Sequence, residues 1–388
     1  MTRRALIVLA VLTGCSVLNR LGPRTSCDAL QQGLVNACQD GIIATCVDRY
    51  RVAYEVCDDS AACASSWQVQ GHFRCSQDKP IPNPPDGGTT TDAGTCDPNA
   101  RCLLAATDSA DVQALATDGT YVFFSDCRSV WRVPVTGGER KLLAFETAVG
   151  GCDSRASLTL DQTDVYLLRN EGTVSRIVRV PKAGGVFTVV VTSPFYLYAA
   201  TVDATMLYWA EVDKLHRAPK LAPADATTIA MAPFNDQSLR LVVDDAYLYW
   251  VVGRSLYRLT KTVPGPTDPQ AVTINEKIDA KTFTVDGSAV FVASPTEGTL
   301  WRVPHATMRP VQIVTGQTSL RYVASDGANA YFSVPGDRGS RVLRVRVTGG
   351  ETPTPATDVL TQSDIGFLRI DDKAIYWREG FLVVRGPK

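Results

Sequence analysis

Seven copies of one pattern recur across residues 101–388 at intervals of 40 to 45 residues. Each is an apolar strand that ends in aspartate and is followed at once by a second apolar strand. Four short strands fit each interval, and amphipathic helical periodicity is absent from it. These observations predict an all-β fold, a seven-bladed β-propeller. Six cysteines crowded into residues 26–78 predict a small N-terminal disulfide-rich α-helical domain in front of it.

Composition sets the outer limits. The chain has 388 residues, 45% hydrophobic and 20% charged, an ordinary globular balance. Net charge is −1, so there is no basic excess to neutralise phosphates, and nucleic acid is excluded as an expected partner. All 11 cysteines lie at or before Cys152. Once Cys15 is set apart, an even, clustered set remains, as expected in an oxidising compartment.

The N-terminus reads as an address. Arg3 and Arg4 precede Ala5 to Leu12, an apolar run of eight residues, too short to span a bilayer. Leu12-Thr13-Gly14-Cys15 follows. These fifteen residues resemble the N-terminus of bacterial lipoproteins, with a lipobox ending in its obligatory cysteine. The resemblance implies that residues 1–14 are a signal peptide and that Cys15 carries diacylglycerol and becomes the acylated N-terminus. Membrane attachment through that lipid follows, since each buried CH₂ contributes about 0.8 kcal/mol. Ser16, where inner-membrane lipoproteins commonly have aspartate, implies the outer membrane of a bacterial cell envelope. The alternative, an ordinary cleaved signal peptide with a chance cysteine, lacks an A-x-A site after the apolar run.

Residues 15–25 read as a tether and residues 26–78 as the cysteine domain. Cys27 and Cys38 are eleven residues apart, and so are Cys46 and Cys57. Eleven residues is close to three helical turns, which puts each pair on one face. Helices are expected over Asp28 to Ala37 and Ile42 to Val56, around a Gln39-Asp40-Gly41 turn. Two antiparallel helices would pair Cys38 with Cys46 and Cys27 with Cys57, leaving Cys63 with Cys75. This is one of fifteen connectivities that six cysteines allow. A metal site is the rival reading, but no C-x-x-C occurs and His72 is the only nearby histidine. Residues 79–100 are a Pro/Gly/Thr-rich linker.

The repeat unit then begins. Its aspartates are Asp118, Asp161, Asp203, Asp244, Asp286, Asp326 and Asp371. A third strand carries an arginine and often a proline, as in Val130-Trp131-Arg132-Val133-Pro134 and Leu300-Trp301-Arg302-Val303-Pro304. The last unit has room for only three strands, and Arg101 to Ala106 looks like the missing fourth. Pairing there would tie the chain ends together and remove an open edge. The pairs Tyr208-Trp209, Tyr249-Trp250 and Tyr376-Trp377 are similar to the YWTD and NHL-type propeller families, although the Thr-Asp half of the motif is missing after all three.

Most conspicuous residues read as structural. An aspartate present in every blade is expected to accept turn N–H groups, and the Tyr-Trp pairs to pack between blades. The repeated arginine is expected in solvent or between blades. Cys96 and Cys102 are candidates for a local disulfide, and Cys127 and Cys152 for one across neighbouring loops. His216 and His305 follow or sit in third strands on the blade periphery, and no hydrolase, zincin or phosphate-loop motif occurs. No catalytic residue, metal or cofactor is therefore expected. The expected function is binding or scaffolding at an envelope membrane, with a protein, peptide or glycan at the propeller's face. The alternatives are a lyase or hydrolase with its site at the central mouth, and a structural surface lipoprotein.

Overall fold

The computed structural model describes strands at 42–48, 51–56 and 73–74. It also describes residues 96–388 apart from 108–111, 127, 147–156, 232–239, 276–281, 318, 337–338 and 357–363. The chain divides into two compact units, Met1–Thr90 and Thr91–Lys388.

In the first unit the described elements are strands. Ile42–Asp48 pairs antiparallel with Arg51–Val56, and Phe73–Arg74 adds at the other edge. The helix expected over Ile42 to Val56 is therefore corrected to a β-hairpin. The physical reason lies in residue type. Ile42, Ile43, Thr45, Val47, Val52, Tyr54 and Val56 are β-branched or aromatic and suit a pleated sheet. Val52, Tyr54 and Val56 also alternate with period two. The eleven-residue cysteine spacing fits a helix but does not require one. The expected helix over Asp28 to Ala37 lies outside the described residues, as do Cys15, Cys27, Cys38, Cys57, Cys63 and Cys75.

The second unit is a seven-bladed β-propeller, seven sheets of four antiparallel strands each. Blade one is Ala114–Thr117, Tyr121–Ser125, Ser129–Pro134 and Lys141–Phe145, hydrogen-bonded in that order. Blade seven is Ile365–Ile370, Ile375–Glu379 and Leu382–Gly386, and its outer strand is Cys102–Ala106 from the other end of the unit. In that pairing Leu382 lies opposite Ala106 and Arg385 opposite Cys102. First strands pack on one another between six pairs of neighbouring blades, blade seven with blade one included, and blades four and five meet through the cluster of Tyr249, Phe283 and Val290, so the ring is closed.

Burial follows from position in the blade. Second strands are sandwiched between neighbouring blades, so both faces are apolar, and Ala289–Ser294 is buried at every residue. Outer strands meet solvent, and Thr188–Ser193 is mostly half-buried or exposed. The core is divided into seven hydrophobic clusters, one per blade interface. The cluster that closes the ring joins Leu104, Phe124, Tyr376 and Val383. The Tyr-Trp pairs split across interfaces: Tyr249 packs toward blade five and Trp250 toward blade three.

The closure is pinned by charge as well. The Arg101 guanidinium donates to both oxygens of Glu379 at 2.9 Å. Trp377 Nε1–H donates to the same carboxylate at 2.7 Å. Glu379 is 1% exposed, so these donors replace its lost water. The Cys96–Cys102 disulfide, with Cα atoms 5.8 Å apart, fastens the start of the closing strand. Cys127 and Cys152 lie outside the described residues.

Candidate functional site: the axial channel

Three sets of residues compete for a functional role: the turn aspartates, the histidines and the residues of the inner ring.

The seven aspartates have one job in common. Each Oδ1 accepts the backbone N–H groups two and three residues on. Asp118 accepts from Thr120 and Tyr121, Asp203 from Thr205 and Met206, and Asp371 from Lys373 and Ala374. Asp161, Asp244, Asp286 and Asp326 repeat the geometry. This is the local side-chain turn that aspartate forms where the chain reverses between strands.

The second carboxylate oxygen reaches further. In five blades it accepts the hydroxyl of the tyrosine five residues on, as in Tyr208 to Asp203 at 3.0 Å and Tyr376 to Asp371 at 2.8 Å. In four it also meets a lysine of another blade: Lys182 with Asp118, Lys220 with Asp161, Lys261 with Asp203, and Lys388 with Asp326. Each lysine immediately follows, or lies just beyond, its blade's third strand, one blade further round. Burial alone would raise the carboxyl pKa of Asp118, Asp161, Asp203 and Asp326. The lysine and backbone donors outweigh it and hold all four below the usual range. The hydroxyls of Tyr166 and Tyr331 are pushed up to about 12, chiefly by burial and then by the adjacent carboxylate.

The repeated third-strand arginine completes this belt. Arg132 donates to the Lys182 carbonyl, Arg217 to the Lys261 carbonyl and Arg258 to the His305 carbonyl, each in the next blade. The sequence offered solvent or blade-bridging for these arginines, and these three bridge. The lysine clamp was not anticipated, although a lysine directly after the third strand in blades two, three and four was a readable signal.

The histidines are packed. His305 takes the clamp position in blade five and stacks on Tyr249 with ring centroids 5.4 Å apart. His216 stacks on Trp209 at 5.3 Å, with Nε2 3.3 Å from Glu211. Burial lowers both imidazole pKa values despite nearby carboxylates. Glu211 in turn accepts the Ser193 hydroxyl at 2.6 Å, so this trio bridges blades two and three. The carboxylate lies between serine and histidine, so the imidazole is not placed to activate the hydroxyl.

The inner ring departs from sevenfold repetition at two places. Two residues before the turn aspartate, six blades carry Ala116, Thr159, Thr201, Val242, Thr284 or Ala324. Blade seven carries Arg369 there. Four residues before the aspartate, blade four carries Arg240. Blades four and seven stand opposite one another in the ring. The Arg240 guanidinium donates to the Phe283 carbonyl at 2.6 Å and lies 5.9 Å from that ring's centroid. Arg369 donates to the Leu368 carbonyl at 2.9 Å.

Both arginines are only half-buried by accessible surface, yet both lie deep enough for burial to dominate their electrostatics. Both belong to the first-strand side of their blades, around the axis that the inner ring encloses. Burial lowers Arg240 to about 10, and it pulls Arg369 well down, with the Arg240 charge adding to the effect. No carboxylate among the described residues offsets either. At the channel mouth Arg321, which begins blade six's first strand, meets Asp364 at 3.2 Å in a solvent-exposed pair. These arginines were not singled out from sequence. Aligning the repeats on aspartate and asking where one blade differs from six would have found Arg369.

No group of histidine, cysteine and acidic side chains suited to a metal ion occurs among the described residues. No family model matches the chain, and no curated protein matches it. Solved structures do. A streptogramin B lyase shares 13% identity over 74% of this chain and 96% of its own, with a TM-score of 0.59. Virginiamycin B lyase from Staphylococcus aureus shares 13% over 74% and 97%, with a TM-score of 0.58. The WD40 propeller domain of Doa1 shares 10% over 74% and 96%, with a TM-score of 0.52. Likeness at this identity shows the seven-bladed propeller fold, which hosts lyases and binding domains alike.

Proposed function

We propose that this protein is a binding module, held at a bacterial envelope membrane by lipid on Cys15, that engages a protein, peptide or glycan through the face of its propeller where the blade-to-blade loops gather. The charge of the axial channel carries the reading. Two guanidiniums stand there with no carboxylate or imidazole interacting with them among the described residues. Guanidinium is a fixed donor that keeps its proton, so this set recognises charge and does not shuttle protons. The turn aspartates, which a hydrolase might recruit, are already committed to turns and clamps. The alternative, a lyase acting at the channel mouth, is favoured by the streptogramin B and virginiamycin B lyases among the structural neighbours.

Two measurements test the proposal. Intact mass of the membrane-fraction protein is expected to fit a chain that begins at acylated Cys15, and Cys15→Ser is expected to leave the membrane. An unlipidated chain would refute the anchor. Quinupristin, named with one of the lyase structures, is expected to keep its chromatographic retention and fragmentation pattern when incubated with the purified protein, since elimination within a ring would leave its mass unchanged. A product from it would replace the binding reading with the lyase reading.

A further inference from the structure

We infer that the axial channel is a binding site for an oxyanion, a carboxylate or phosphate group held between Arg240 of blade four and Arg369 of blade seven. The inference deepens the binding-module reading and rests on it for treating the channel as a recognition site rather than a reaction centre.

Four observations carry it. The two cations occupy opposite sides of the inner ring, at positions where most blades carry small or uncharged residues. Arg240 stands four residues before its turn aspartate, just ahead of the strand Val242–Val243, and Arg369 stands two before its own, a stagger of about 7 Å at ~3.3 Å per extended residue. An anion entering from the mouth would therefore meet one guanidinium and then the other. Each guanidinium has five N–H donors, and one of them is committed to a backbone carbonyl. The Phe283 ring beside Arg240 walls the site on one side.

The chemistry of the ligand follows from the donors. Guanidinium presents parallel N–H groups that match the two oxygens of a carboxylate or two of a phosphate. Burial and mutual repulsion both disfavour the charged form of these two guanidiniums. A bound anion offsets both, so affinity is highest for ligands that bring a full negative charge. The anion can be free or can be one group of a larger partner, such as a uronate in a glycan or a peptide's C-terminus.

The test uses the purified full chain and thermal denaturation in sodium phosphate, sodium acetate and sodium galacturonate, each against sodium chloride at equal ionic strength. Phosphate or a carboxylate is expected to raise Tm in a saturable way, because a ligand that binds only the folded state stabilises it. Arg369→Gln and Arg240→Gln are expected to raise the midpoint concentration for that anion about tenfold or more, the usual loss for one charge-assisted contact. Without anion, both variants are expected to melt no lower than the parent, since each removes an unmatched charge. Arg321→Gln, at the exposed mouth pair, is expected to leave the midpoint unchanged. A stronger response to phosphate assigns a phosphate carrier, and a stronger response to galacturonate than to acetate assigns a glycan. Equal responses of the parent and the two variants, or no response to any anion beyond chloride, would overturn the inference. That result would leave the lipid and quinupristin measurements standing, so the two readings fail separately.

Discussion

Asp203 offers the sharpest test of how the blades are joined. Its Oδ1 takes two backbone N–H bonds at 2.9 and 2.8 Å, and its Oδ2 takes the Tyr208 hydroxyl at 3.0 Å and Lys261 Nζ at 3.1 Å. Asp203→Ala removes all four and leaves a buried phenol unpaired. Bonds to a charged acceptor contribute about 1.5 kcal/mol or more each, and the partly exposed lysine contributes at most ~1 kcal/mol. Allowing for non-additivity, the loss is roughly 4 kcal/mol. Asp203→Asn keeps an oxygen for the turn and loses only the outward contacts, a cost of about 1–2 kcal/mol. Urea denaturation followed by fluorescence of Trp209 and Trp250, buried in the interfaces beside blade three, reads both. The pH dependence has a definite sign. The folded carboxyl is held below the usual value, so its contribution is complete above the unfolded pKa of about 3.9 and is lost as pH falls through the lower folded value. Asp203→Asn abolishes that component. Equal losses from the two substitutions would refute the division of labour between turn and clamp. So would an asparagine variant that keeps the parent's acid sensitivity in full.

Other contacts give independent expectations. Glu379→Gln breaks the carboxylate that Arg101 and Trp377 share, and a loss of about 3–5 kcal/mol in chemical denaturation is expected from the broken buried ion pair. Gly298, at φ +61°, has no room for a side chain: a Cβ would sit 2.1 Å from the Gln317 carbonyl oxygen. Gly298→Ala is therefore expected to lower Tm by several degrees, and a neutral result would mean that this turn yields easily. His216 and His305 are expected to titrate below about 6.5 by NMR. Because burial favours their neutral form, their contribution to stability is complete above that value and falls as pH drops through the folded pKa.

The parts of the fold that recur were legible, and those that occur once were not. The aspartate turn was readable because it is local: an acceptor two and three residues before its donors leaves a fixed spacing in the chain. The seven interface clusters were readable because second strands are continuous apolar runs with aromatic pairs in the middle. At Ile42–Val56 two signals conflict: cysteine spacing suggests a helix and residue type a hairpin, and the hairpin forms. The spacing is compatible with several backbones, while a run of Ile, Thr, Val and Tyr favours one. The lysine clamp joins residues 58 to 64 apart in the chain, so the lysine after each third strand is visible locally but its aspartate partner is not, and only the propeller's closure brings the two together.

The two ends of the propeller obey different constraints. At the end with the aspartate turns, every blade uses the same first connection, and lysines, arginines and tyrosines stitch neighbours across it. A ligand site there would have to break bonds that hold the ring. At the other end, the connection from one blade's outer strand to the next blade's first strand runs from three residues, between Ser193 and Leu197, to twelve, between Phe145 and Leu158. Length that varies this much is not needed to close a ring that already closes through strand pairing and seven apolar interfaces. Arg321, Arg240 and Arg369 descend from that same end, five, four and two residues before their turn aspartates. Variable connections and the two inner-ring arginines therefore lie along one axis, while at the other end the aspartates are committed to turns and clamps. A loop exchange between blades at the variable end should leave Tm nearly unchanged and alter oxyanion binding. A loop exchange that unfolded the protein would show that those connections are structural after all and would remove the reason to place recognition there.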